Sequence, residues 1–147
     1  MFWKTWTSSE VVRALETGRM GIADFLANIP EELGYAGDLI RNAAHDYRVA
    51  LLSNTNEIHW GQVNGSTDTF TMFDQVFLSY ETGHLKPSLA AFHQVLEIFE
   101  CSPGEVIFLD DSEPNIAAAL KLGIDARKVV GVTELEQQLV RCTGFGQ

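Results

Sequence analysis

The chain predicts an α/β protein built on a doubly wound parallel sheet. Three observations carry that prediction. Short apolar runs alternate with amphipathic stretches from Asp46 onward. Several of the runs are apolar at consecutive positions, as in strands buried on both faces. Each amphipathic stretch between them is long enough to be a helix that returns the chain to the same edge of the sheet.

Before Asp46 the pattern is helical. Thr7-Ser8-Ser9-Glu10 reads as a capping box, followed by the stripe Val11, Val12 and Leu15, which stops at Gly18. A second helix fits Ile22 to Ile29, ended by Pro30, and a third fits Gly37 to Tyr47 with Leu39, Ile40, Ala43 and Ala44 inward. The first strand after the helices is Arg48 to Ser53, and the next is Asp74 to Ser79. Pro87 then sits in the first turn of a helix whose stripe is Leu89, Phe92, His93, Leu96 and Phe99. His93 is expected to be half-buried in that stripe. A third strand runs from Glu105 to Asp110, and Pro114 opens a helix through Ile116 and Leu120 that closes at Gly123. Lys128 to Val132 reads as a fourth strand, and Thr133-x-x-Glu136 as the cap of a last helix bearing Leu135, Leu139 and Val140. Residues 1–47 are thus expected to form a helical cap region and residues 48–147 an α/β core.

Composition narrows the partners. The 147 residues carry 10 basic and 20 acidic side chains, a net charge of −10. A nucleic-acid binder needs the opposite sign to replace phosphate counterions, so nucleic acid is not expected. No apolar run approaches the length of a membrane helix, and Met1 to Thr7 does not read as a signal peptide. Cys101 and Cys142 form no CxxC pattern and read as two buried thiols of a cytoplasmic protein.

Ligands of doubly wound sheets bind beyond the carboxyl ends of the strands. Three polar groups fall there. Ser53-Asn54-Thr55 offers a hydroxyl and backbone N–H groups able to grip phosphate oxygens, although Ser53 or Thr55 capping a helix explains the same residues. Lys86 precedes a helix N-terminus, where the dipole favours an acid; a bound anion would account for it, and so would an exposed loop position. Asp110-Asp111 places adjacent carboxylates at a strand mouth, where a hard cation such as Mg²⁺ relieves their repulsion. The alternative makes Asp111 a helix cap and leaves Asp110 solvated.

Hydroxyl, lysine and acidic pair, in this order, resemble the haloacid dehalogenase-like superfamily over residues 48–132. Val49-Ala50-Leu51-Leu52-Ser53-Asn54-Thr55-Asn56 is similar to its second motif, Lys86-Pro87 to its third, and Ile107-Phe108-Leu109-Asp110-Asp111-Ser112 with Asn115 to its fourth. The helical N-terminal region is similar to the cap of the sugar-phosphate-phosphatase branch. The resemblance implies a Mg²⁺-dependent phosphatase of small phosphorylated metabolites. In it Ser53, Asn54 and Lys86 form the substrate-binding site, Ser53 bonding the phosphoryl oxygens, Asn54 helping to shape the site and Lys86 neutralising its charge; Ser53 and Lys86 serve catalysis, and Asp110 and Asp111 hold the metal. It also implies an Asp-x-Asp nucleophile motif on a central strand, and no Asp-x-Asp occurs in the 147 residues. The chain is therefore expected to be truncated and inactive, or a non-catalytic interaction module. Met1 to Trp6 is not expected to replace the central strand, and the resulting gap invites self-association. No GxGxxG is present for a dinucleotide, and the motif order differs from that of phosphate-receiving signalling domains.

Overall fold

The computed structural model describes residues 2–4, 37–65 and 69–143. Five parallel strands form one sheet in the order β3-β2-β1-β4-β5: β1 Phe2–Lys4, β2 Val49–Ser53, β3 Gln75–Leu78, β4 Ile107–Asp110 and β5 Asp125–Lys128. Residues 37–43 form α1, followed by α2 Glu57–Gly65, α3 Ser79–Thr82, α4 Leu89–Phe99, α5 Glu113–Lys121 and α6 Gly131–Thr143. Single 3₁₀ turns cover Thr69–Met72 and Pro103–Glu105.

All five residues of β2 are buried, as expected for a strand covered on both faces. On one face Ala50, Leu52, Phe77 and Phe108 meet Phe92, Val95, Leu96 and Phe99 of α4 and Ala118 and Ala119 of α5. On the other, Leu109 and Val129 pack with Ala43 of α1 and with Leu135 and Leu139 of α6. The result is a three-layer arrangement with the sheet between two helical layers.

The central position of the sheet is not a gap. Phe2, Trp3 and Lys4 pair with Val49, Ala50 and Leu51 on one side and with Ile107, Phe108 and Leu109 on the other. This corrects the expectation that Met1 to Trp6 would not serve as a strand. The backbone edges of β2 and β4 are buried among apolar residues, where unmade hydrogen bonds are costly, so even a three-residue extended segment is held there. The expected helices over Thr7 to Gly18 and Ile22 to Ile29 lie outside the described residues.

β5 is also displaced from its expected place. Its residues are Asp125, Ala126, Arg127 and Lys128, paired with Ile107 to Asp110, in place of Lys128 to Val132. After α5 the chain turns at Gly123, whose φ is +86°, and enters the sheet at once. An edge strand tolerates these charges. The apolar pair Val129-Val130 marks the exit from the strand: the Val129 N–H still donates to Asp110 O at 2.9 Å, but α6 starts at Gly131. Thr133 therefore lies inside α6 and does not cap it. The backbone N–H of Val130 is instead satisfied by Glu134 Oε2 at 2.7 Å.

In α4 the buried stripe is Ala91, Phe92, Val95, Leu96 and Phe99, with His93 exposed and Leu89 41% exposed. His93 is rotated about 100° from Phe92 around the axis, and Val95 takes the place assigned to it. Pro87 lies in the turn before the helix, which Ser88 precedes as N-cap. Leu120 of α5 is 54% exposed and also leaves the expected stripe. Cys101 is a free, half-buried thiol, less enclosed than expected, and burial pushes its pKa up. Nothing is described of the Cys142 side chain.

Below the sheet, the turn into β4 is held by Ser102 and Glu105. The Ser102 N–H and Oγ donate to Glu105 Oε2 at 2.8 and 2.9 Å. These bonds, the backbone one foremost, hold the Glu105 carboxyl below the ordinary 4.5. A depressed folded pKa stabilises the fold above the unfolded value and ceases to do so as pH falls through the folded one. Glu105→Gln is therefore expected to lower Tm at pH 7, with the difference from wild type shrinking as pH drops below about 4.5. A pH-independent Tm difference would show that the charged form contributes nothing.

Candidate functional site

The strand order reverses at β1: β2 and β3 lie on one side, β4 and β5 on the other. Beyond the carboxyl ends of strands flanking such a point the loops diverge and leave a crevice. β2 ends there in Ser53 and β4 in Asp110, and Lys86 arrives from the loop that follows β3 and α3. The chain thus brings together Ser53, Asn54, Lys86 and Asp110, with Asp111 beside Asp110.

Asp110 is fully buried, and Lys86 is 4% exposed. Lys86 Nζ donates to Asp110 Oδ2 at 3.0 Å. Asn115, itself buried at the start of α5, donates from Nδ2 to the same oxygen at 3.2 Å, and the Ser112 N–H donates to Oδ1 at 2.8 Å. Two charges taken out of water need this degree of compensation, because each alone carries a penalty of several kcal/mol. The alternatives of an exposed loop lysine and a solvated Asp110 are thereby set aside. Asp111 does not cap α5 either: Ser112 is its N-cap. Asp111 stands half-buried at the mouth.

Ser53 is 6% exposed, and its hydroxyl has no hydrogen-bond partner among the described residues. Neither Ser53 nor Thr55 caps α2. That part falls to Asn56, whose Oδ1 accepts from the His59 N–H at 2.8 Å. The loop between β2 and α2 is tied down by two reciprocal contacts. Asn54 Oδ1 accepts from the Lys86 N–H at 2.9 Å, and Asn54 Nδ2 donates to Lys86 O at 2.9 Å. Ser79 Oγ accepts from the Thr55 N–H and donates to Thr55 O, both at 2.9 Å. The Lys86-Pro87 peptide between these contacts and α4 is cis. Ser79 was legible in sequence only as a strand end, and nothing local marks it as a partner of Thr55, 24 residues earlier.

His84 lies in a turn where its N–H donates to Thr82 Oγ1 at 3.2 Å, and Trp60 packs on Phe70 with ring centroids 4.7 Å apart. Tyr80, next to Glu81 and Glu57, has a phenol pKa pushed up by burial first and by those carboxylates second. Among the described residues no three or more His, Cys, Asp or Glu side chains converge. Asp110 and Asp111 are hard oxygen donors, and a Mg²⁺ site ordinarily takes one or two carboxylates and completes itself with water and phosphate. Asp110 and Asp111 stand at adjacent positions at the end of β4, and as hard oxygen donors they fit such an ion.

A doubly wound parallel sheet, with a hydroxyl, a buried lysine and an acidic pair gathered at its switch point, defines an α/β protein with a single polar site at the strand ends. The model of the haloacid dehalogenase-like hydrolase family matches residues 19–123, and the chain belongs to that family. It is 32% identical over 106 residues to the drimenol cyclase of Aspergillus calidoustus, covering 72% of this chain and 20% of that protein. It is 29% identical over 108 residues to the D-ribitol-5-phosphate phosphatase of Bacteroides thetaiotaomicron, covering 69% of this chain and 52% of that one. The chain thus spans about a fifth and about half the length of these two curated relatives. A crystal structure of a haloacid dehalogenase family enzyme from Bacteroides thetaiotaomicron, in complex with magnesium and inorganic phosphate, superposes with a TM-score of 0.62 at 30% identity, covering 82% of this chain and 75% of that one. Among the described residues no helix is long and apolar enough to cross a membrane.

Proposed function

We propose that this chain carries the phosphoryl-binding site of a Mg²⁺-dependent phosphatase for small phosphate esters of the sugar-phosphate kind. The observation that carries the reading is the buried Lys86–Asp110 pair, with the Ser53 hydroxyl, which has no hydrogen-bond partner among the described residues, at the strand end across β1. The relative named as a D-ribitol-5-phosphate phosphatase supports the choice of ester. Ser53 Oγ–H donates to a phosphoryl oxygen, and the Lys86 ammonium offsets its charge. Asp110 and Asp111 hold Mg²⁺, which supplies further charge neutralisation when bound. Catalysis of phosphoryl transfer is mainly positioning and charge stabilisation of this sort. The free thiol of Cys101 suits a reducing, cytoplasmic setting.

With no Asp-x-Asp in the 147 residues, the covalent step has no aspartyl acceptor of the kind the family resemblance implies. Little or no turnover is therefore expected from this chain, whose site binds phosphate esters without cleaving them. The test pairs two measurements on the purified chain with Mg²⁺: release of phosphate from p-nitrophenyl phosphate and ribitol 5-phosphate, and the rise of Tm with inorganic phosphate. No turnover above a Lys86→Met control, with a Tm that climbs with phosphate, is the expected pair of results. Robust Mg²⁺-dependent turnover would overturn the inactivity. A Tm indifferent to phosphate would favour the second reading, a non-catalytic interaction module that keeps only the fold, which the missing motif also suits.

A further inference from the structure

The loops that carry Ser53 and Lys86 are tied down by side chains given no contact with phosphate or metal in the proposed reading. Asn54 spends its carbonyl and one N–H on the backbone of Lys86, closing a two-point contact with both bonds at 2.9 Å. That geometry is directional: donor and acceptor of one planar carboxamide meet the acceptor and donor of one residue, so a shift of either loop breaks both bonds. One residue further along, the Ser79 hydroxyl closes the same kind of contact with Thr55. Ser79 is buried, and it is anchored at the junction of β3 and α3. The loop after Ser53 is thus held at two successive residues, by Asn54 to the lysine loop and at Thr55 by Ser79 to the end of β3.

We infer that Asn54 and Ser79 are positioning residues that set the separation between the Ser53 hydroxyl and the Lys86 ammonium. Asn54 acts by fixing the Lys86 backbone and not by touching ligand; Ser79 acts by fixing Thr55. This rests on the reading of Ser53 and Lys86 as phosphoryl-binding groups. A site that must place two groups on one phosphate loses affinity when their spacing is released, even though both groups remain.

The probe is inorganic phosphate, titrated calorimetrically into the full chain, alongside the ¹³Cε signal of Lys86 in lysine-labelled protein, assigned by its loss in Lys86→Met. Asn54→Ala is expected to weaken phosphate binding about tenfold, the equivalent of leaving a buried polar pair unmade. Asn54→Asp keeps the acceptor for the Lys86 N–H but loses the donor to Lys86 O, and should fall as far. Ser79→Ala weakens binding by several-fold, and Ser79→Thr, which keeps the hydroxyl, restores it. In each weakened variant the Lys86 signal shifts or broadens while those of Lys121 and Lys128 stay in place. A purely structural role would lower Tm without moving the Lys86 signal selectively. Unchanged phosphate affinity together with an unchanged Lys86 signal in Asn54→Ala overturns the inference. If wild type itself binds no phosphate, the phosphoryl-site reading fails and the Lys86 signal alone decides the clamp. Should Asn54→Ala not fold, Asn54→Asp and Ser79→Ala give the same decision.

Discussion

Phe108→Ala is expected to lower the stability of the chain by about 3–5 kcal/mol, the range for removing a fully enclosed phenylalanine. Phe108 has no exposed surface, and its ring meets that of Phe92 edge-on, with centroids 5.1 Å apart and planes at 88°. It sits on β4 in register with Trp3 on one side and Ala126 on the other, so the cavity would open beneath the middle of the sheet. The loss combines the transfer free energy of the ring with the void its neighbours fail to fill. A domain of this kind has only about 5–15 kcal/mol in hand, which makes the variant marginal at 37 °C. Leu120→Ala, at a 54% exposed position of α5, is the control and should change stability by less than about 0.5 kcal/mol. Urea unfolding reads both. A double-mutant cycle with Phe92→Ala should isolate about 0.5–1.5 kcal/mol for the ring pair. A loss below about 1 kcal/mol for Phe108→Ala would mean that this face is not packed as placed.

The same residues show why part of the structure is readable in the sequence. β2 and β4 announce themselves because burial on both faces demands apolar residues at consecutive positions, as in Val49-Ala50-Leu51-Leu52, and the edge strand β3 does so through Val76, Phe77 and Leu78, the last two buried. β5, at the other edge, hides because none of its residues is fully buried: Asp125, Arg127 and Lys128 are charged, and the apolar signal slides to Val129 and Val130 just past its end. β1 hides for a different reason. Three residues carry no periodicity, and its place is set by the two buried edges it fills, which are 47 and 105 residues away in register.

Ser53, Lys86 and Asp110 are legible from their positions at or after strand ends, since a polar group directly after an apolar run has few structural uses. Asn54 and Ser79 gain their meaning from contacts 32 and 24 residues distant, made through backbone groups that every residue possesses. No side-chain pattern encodes such a partner. Asn115 falls between: its place after the acidic pair is visible, but its service to Asp110 Oδ2 depends on how α5 leaves the strand.

Breaking the Lys86–Asp110 pair from either side is expected to cost about 3–5 kcal/mol, because the survivor is a buried charge that has lost the opposite charge bonded to it. The side chains are 1% and 0% exposed, so water cannot take the missing partner's place without disrupting the surroundings. In Lys86→Met, Asp110 retains Asn115 and the Ser112 N–H but loses the ammonium bonded to its Oδ2. In Asp110→Asn, the ammonium loses its anion, and the new amide can still accept a bond from Lys86 through its oxygen. That makes Asp110→Asn the milder of the two. The double variant Lys86→Met with Asp110→Asn removes both charges and should be more stable than either single one, since a neutral, space-filling replacement of a buried ion pair is often neutral or stabilising. Thermal and urea unfolding of the four proteins in the cycle give the coupling directly. Additive losses would show that the two groups do not compensate each other and that the pair is not formed. A stable double variant whose Tm ignores phosphate, beside a wild type whose Tm rises with it, would separate the two roles of the pair. Its charges would then be kept for the ligand, since the fold can do without them.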